Sequence, residues 1–281
     1  MHMRRYLKNS GKKELMGDSD PKVSVLTTVN RGLEFLVECV QSIESQTFNN
    51  WEHVIVSDGA STEILEYLEK LSDPRQKVVI SKPVGRAKAL NLGLMHCASD
   101  LVAILDADDI SHPERLELQY SQIKNMPQAT VLSSRCVHDI FDLEIKRLCI
   151  NTFQLPPSAF LAYSPVCHSA TIIRKQHIIE IGGYDESLTK LVDLTLWKKF
   201  LANNYHLYYN SLPLVYHRVH PGQAFEKNKR ISYLTSALII RFQLLKDCGL
   251  PIYYAYKPMV VFIFGLLPVR IRLKIRTVLN Y

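Results

Sequence analysis

The sequence has no apolar run long enough to cross a bilayer. Its most apolar stretch, residues 258–267, is about ten residues long, where a spanning helix needs about 20. The first twenty residues are polar and basic (Arg4, Arg5, Lys8, Lys12, Lys13). They lack the apolar core of a signal peptide and read as a flexible basic arm. Cysteine is sparse: Cys39, Cys97, Cys136, Cys149, Cys167 and Cys248 form no C-x-x-C pair, which excludes a zinc cluster or a thioredoxin-type site. Scattered single cysteines on apolar segments read as small buried hydrophobes in a reducing compartment. With 11 glycines and 13 prolines in 281 residues, collagen-like and low-complexity chains are excluded too. No internal repeat is visible.

What is present suits a globular chain. It is 47% hydrophobic and 22% charged, and long enough for one large α/β domain with a helical appendage. The net charge of +7 favours anionic partners. The cations are in excess at the two ends and the acids cluster in the middle. A nucleic-acid groove would then place acids where phosphates must lie, so no nucleic-acid partner is expected.

From residue 21 onward, short apolar runs alternate with segments of helical spacing. Strands are predicted at 23–28, 51–57, 77–80 and 101–105, with helices at 33–45, 62–71 and 87–97 between and after them. This order means a mostly parallel, Rossmann-like sheet flanked by helices, with ligands at the carboxyl ends of the strands. The second half is less regular: helices at 113–124 and 191–202, strands near 130–134 and 170–173. After about residue 222 the character changes. A helix is expected at 233–245, and residues 258–276 combine the apolar stretch with alternating basic and apolar residues. Two readings fit that tail: an interfacial helix held by anionic lipid, or a helix packed on the domain.

Asp106, Asp108 and Asp109 lie together at the end of a predicted buried strand. Carboxylates so crowded need protonation or a cation, and Mn2+ or Mg2+ suits them as a hard ion shared with phosphate oxygens. Helix capping by Asp109 or Ser111 explains one acid but not three. Asp58-Gly59 ends another strand at the same edge, either as a plain turn or as an acceptor for a base or ribose. Arg86 and Lys88 open a helix, a place for phosphate or merely a solvated basic turn. Asp193 near a helix start is a dipole-favoured charge or a general base.

In their order along the chain these elements resemble the family 2 glycosyltransferases of bacterial cell-surface polysaccharide type. That family has the GT-A fold. The resemblance covers about residues 21–223, through the strand at 23–26, Ser45-Gln46-Thr47-Phe48, Val56-Ser57-Asp58-Gly59, residues 85–93, residues 105–116 (DADDISHPERL), residues 182–186 with Asp193, and Arg218-Val219-His220. It implies an inverting, metal-dependent enzyme with a nucleotide-sugar donor, UDP-linked, and a glycan or lipid-linked acceptor. It assigns Asp193 as the base, and Asp108 with His220 to Mn2+ or Mg2+. The donor would be bound by Thr28, Asn30, Asp58, Arg86, Lys88, Asp106 and Arg218. Ser57, Val192 and Thr195 stand where the family often has acids; they are the support for the alternative of a non-catalytic nucleotide-sugar-binding protein. The resulting organisation is an arm over 1–20, a GT-A unit over 21–225 and a helical, membrane-associating tail over 226–281. The expected location is the cytoplasm, at the inner face of the cell membrane.

Overall fold

Apolar residues alternating across short strands form the framework of the computed structural model, which describes residues 21–143, 151–218, 230–268, 271, 272 and 274. β1 (Val23–Val29), β2 (Trp51–Asp58), β3 (Gln76–Ser81) and β4 (Leu101–Ile104) are parallel neighbours in the order β3-β2-β1-β4. The connecting helices are α1 (Leu33–Glu44), α2 (Thr62–Glu69) and α3 (Arg86–His96). α1 and α2 bury Leu36, Val40, Ile64 and Leu68 against Val29 and Ile55 on one sheet face. α3 buries Leu90 and Leu94 against Leu26, Val54 and Val56 on the other. Residues that alternate along β2 thus serve opposite faces, as a sheet covered on both sides requires. α3 sits unusually close. A Cβ on Gly93 would lie 2.2 Å from Leu26 Cδ1 and 3.0 Å from Val56 Cγ2.

The second half turns the sheet mixed. It adds β5 (Ile110–Ser111), α4 (Arg115–Lys124), β6 (Ala129–Val137), β7 (Thr152–Gln154), β8 (Thr171–Arg174), α5 (Lys175–Glu180), α6 (Val192–Ala202) and β9 (His206–Tyr216). β8 runs antiparallel to β4 and β6, and β6 runs parallel to β9. β5 and β7 each pair antiparallel with β9. Then follow α7 (Arg230–Asp247) and α8 (Tyr256–Leu266). α7 buries Leu244 and Leu245 in the same core as α3 and α6, so this helix is packed on the domain. No helix among the described residues is long and apolar enough to cross a membrane.

Two details of the sequence reading change. Cys136 and Cys167 are disulfide-bonded, their Cα atoms 6.5 Å apart, because the sheet brings β6 beside the segment that precedes β8. The reading of every cysteine as a separate hydrophobe therefore holds for buried Cys39 and Cys97 but not for this pair, and the support it lent to a reducing compartment weakens. Cys149 lies outside the described residues, as do the basic arm and His220. α4 starts at Arg115 with Glu114 at its N-cap position, so neither Asp109 nor Ser111 caps it.

At the amino end of the sheet, polar groups satisfy one another. Glu52 Oε1 accepts from Ser24 Oγ at 2.6 Å and from the Ala98 amide, and Oε2 accepts from Lys77 Nζ at 3.1 Å. Burial opposes the charge, yet these donors outweigh it and hold the Glu52 carboxyl below its usual range. His53 is fully buried beside it, with Nε2 3.0 Å from Thr27 Oγ1.

Candidate active site

The parallel topology brings the ends of β1, β2 and β4 to one edge. After β4 the chain turns tightly, with the Asp109 amide donating to the Asp106 carbonyl at 3.0 Å. Carboxylate oxygens of Asp106, Asp108 and Asp109 all lie within 4.8 Å of one another. Asp109 is fully buried; Oδ1 accepts from the Arg218 amide at 3.1 Å, while Oδ2 is buried without a hydrogen-bond partner. Burial, then repulsion from Asp106 and Asp108, pushes the Asp109 carboxyl well above the usual carboxylate range. An orphaned buried oxygen beside two half-buried carboxylates is a site short of positive charge. A hard divalent cation supplies that charge and the missing partner, so these residues fit one.

Asp106 has its own partners. Arg86, in the first turn of α3, donates through Nη2 to both Asp106 oxygens at 2.7 and 2.8 Å. The same Nη2 lies 3.2 Å from His168 Nδ1, and His168 Nε2 lies 2.9 Å from the Tyr184 hydroxyl. Burial works against the Asp106 charge, but Arg86 and His168 outweigh it and hold the carboxyl far below the usual range. The Asp106 amide donates to Ser169 Oγ at 3.0 Å, so the segment just before β8 grips the acidic turn from its far side.

Arg218 closes the cluster. Its Nε donates to the Asp108 carbonyl at 3.1 Å, its Nη2 pairs with Glu38, and its guanidinium lies 4.5 Å from the centre of the Phe35 ring. Asp58 ends β2 and accepts through Oδ1 from the Val84 amide at 2.7 Å and through Oδ2 from the Gly85 amide at 3.1 Å. It thereby ties the end of β2 to the start of α3. Gly59 turns the chain at φ +64, where a Cβ would fall 2.7 Å from Pro83. Asp193 is the second residue of α6, half-buried, after Leu191 in the left-handed region at φ 56. Asp106 chiefly raises the Arg86 pKa and the Asp193 charge adds to it; Asp193 also acts on Tyr184 and Tyr233. No side-chain hydrogen bond or ion pair holds its carboxylate among the described residues.

The structure therefore gathers Asp106, Asp108, Arg86 and Arg218 at one edge, with Asp193 within electrostatic reach and Asp58 connected through residues 84–85. Half-buried Thr28 and exposed Asn30 stand at the end of β1, and Lys88 is exposed on α3. Glu38, His168 and Ser169 are the additions that sequence reasoning missed; their partners lie 180, 82 and 63 positions away along the chain, and no local pattern marks them. Tyr184 lies in the 182–186 segment that carries the resemblance, and its partner His168 is 16 positions away.

Comparisons with known proteins bear on the family and the fold. The family model for glycosyl transferase family 2 matches residues 24–182. The amylovoran biosynthesis glycosyltransferase AmsE of Erwinia amylovora is 32% identical over 204 residues, covering 70% of this chain and 74% of AmsE. Among solved structures, TarS of S. aureus in complex with UDP-GlcNAc superposes with a TM-score of 0.63 at 17% identity, covering 87% of this chain and 72% of that one. The mannosyltransferase PcManGT of Pyrobaculum calidifontis, in complex with GDP-Man and Mn2+, gives 0.59 at 15% identity, covering 94% and 81%. At those identities the likeness speaks for the GT-A fold alone.

Proposed function

Since the chain belongs to glycosyl transferase family 2, we propose that it moves one sugar from a UDP-linked donor to a hydroxyl of a glycan or lipid-linked acceptor, with inversion. The observation that carries this reading is the contrast among the acids at one sheet edge. Asp106 and Asp109 are engaged by Arg86 and by the Arg218 amide, while Asp193 lies within electrostatic reach of Arg86 and has no hydrogen-bond partner among the described residues. An unengaged carboxylate beside a phosphate-binding region can accept the proton of an incoming hydroxyl.

In this mechanism Asp193 takes the acceptor proton as that oxygen attacks the anomeric carbon. The nucleoside diphosphate leaves toward Arg86 and Arg218. Asp106 holds Arg86 in place, and Arg218 stays fixed over the acidic turn by Phe35 and Glu38. Asp108, with His220 as the resemblance implies, would hold a divalent cation, Mn2+ or Mg2+, which would supply positive charge at the departing diphosphate. Thr28, Asn30 and Asp58, at the ends of β1 and β2, serve the nucleoside. The nucleotide sugars bound by TarS and PcManGT support a donor of this class, and the role named for AmsE supports a polysaccharide acceptor. The transferase unit is residues 21–225, and it works at the inner face of the cell membrane.

Asp193→Asn tests the assignment. Transfer is expected to fall about 10²–10⁴-fold, while UDP-sugar with Mn2+ still raises the melting temperature as in the parent protein. Loss of that thermal shift together with transfer would make Asp193 structural and overturn the assignment.

A further inference from the structure

The exposed apolar side chains near the end of the chain are not scattered. α8 has eleven residues, and Tyr256, Met259, Val260, Ile263 and Leu266 are all large and exposed. At 100° per residue they cover about 120° of the helix surface, one continuous face. The preceding turn adds exposed Ile252 and Tyr253, and Ile271 follows. The opposite face is fixed. Pro258 and Gly265 are buried, and a Cβ on Gly265 would lie 2.6 Å from Leu234 Cδ2 of α7. Arg230, at the start of α7, donates to the Gly265 carbonyl. The apolar row is therefore held outward by the packing that secures the helix.

Charge identifies what this face fits. From Cys248 to Tyr281 there is no aspartate or glutamate, while Lys257, Arg270, Arg272, Lys274 and Arg276 are all present. A second copy of the chain would bring the same cations to the contact and be repelled. A helix of eleven residues is about 16 Å long, too short to span a bilayer but able to lie in its surface. Tyrosines beside an apolar row and basic residues next to it match the layering of such an interface. We infer that the outer face of α8 docks this protein on an anionic phospholipid bilayer, with the row in the acyl boundary and Lys257 and Lys274 at the headgroups. The surface is argued from α8 alone. Only its use, holding the enzyme where a lipid-linked acceptor resides, rests on the proposed transfer.

Co-sedimentation of the full-length protein with vesicles tests this directly, without donor or acceptor, so a failure here leaves the transfer reaction untouched. Vesicles of phosphatidylcholine with phosphatidylglycerol should bind the protein strongly, and phosphatidylcholine alone weakly. Binding should fall with salt. Ile263→Glu should weaken it at least about tenfold. Lys257→Ala with Lys274→Ala should cost about fivefold per cation and flatten the dependence on phosphatidylglycerol. Parent-like far-ultraviolet circular dichroism and an unchanged urea midpoint certify that each variant is folded. Equal binding by Ile263→Glu and the parent protein overturns the inference. So does a parent protein that ignores vesicles but forms a dimer by light scattering that Ile263→Glu dissociates.

Discussion

Carboxylates stand at both ends of the parallel half of the sheet, and they are served in opposite ways. At the amino end, Glu52 has a hydroxyl, an amide and an ammonium for its two oxygens, and its pKa falls. At the carboxyl end, Asp109 is more deeply buried, has one backbone donor and one orphan oxygen, and its pKa rises. The same chemical group is a rivet in one place and an unfilled demand in the other. A structural carboxylate brings its partners with it, whereas a binding carboxylate leaves part of its demand to a ligand.

Removing one acid from each end is the strongest way to break the comparison. Asp108→Ala should lower transfer about a hundredfold or more, the scale of metal charge stabilisation. It should also abolish metal-dependent stabilisation by UDP-sugar, which for the parent protein at 100 times Kd is about 2.7 kcal/mol. Its own unfolding free energy in urea should stay within about 0.5 kcal/mol. Glu52→Ala should do the reverse. Stranding the Ser24 hydroxyl and the Ala98 amide should cost about 1–3 kcal/mol of stability, while kcat and KM measured well below the melting temperature stay at parent values. If Glu52→Ala lowered kcat in the folded protein, the division of labour between the two ends would fail.

The most gradual effect, spread over several pH units, is the pH dependence contributed by His53. Burial pushes its imidazole down to about 3 from an ordinary 6.5. Above pH 6.5 both the folded and the unfolded state hold it neutral, and its stabilising contribution is fully present. Between there and pH 3 only the unfolded state takes up the proton, so stability falls as pH falls, by about 1.4 kcal/mol per pH unit. Urea midpoints across this window should fall more gently for His53→Gln than for the parent protein. Equal slopes would mean that His53 titrates normally in the folded state.

The fold and the acidic end of this contrast were legible in the sequence, but unevenly, and Glu52 was not singled out there. The strand and helix periods of residues 23–105 read directly, because β1, β2 and β4 are almost wholly buried runs rich in apolar residues and α1 and α2 each show one apolar stripe. Asp106 and Asp108 were visible because crowded charges after an apolar run have few benign explanations. β9 was not legible. It carries Pro213 and the buried Asn210 inside an eleven-residue strand, and its pairing with β6 shifts register three times. Proline argues against a strand interior unless the ladder is irregular there. The two-residue β5 and the exposed β7 exist only because β9 pairs with them. The supports of the site were hidden for the same reason. His168 and Glu38 act on partners that only the folded sheet brings near, and no spacing rule joins them to Arg86 or Arg218.

Gly93 bears on how this protein can be altered. Its missing side chain sets the height of α3 above β1 and β2, and α3 carries Arg86 at its start and Asn91 near its middle, where Asn91 receives the Tyr184 amide at 2.9 Å. Any other residue at position 93 would wedge the helix away from the sheet and move both side chains at once. For anyone building a mutant library to change sugar preference, position 93 should be left unrandomised.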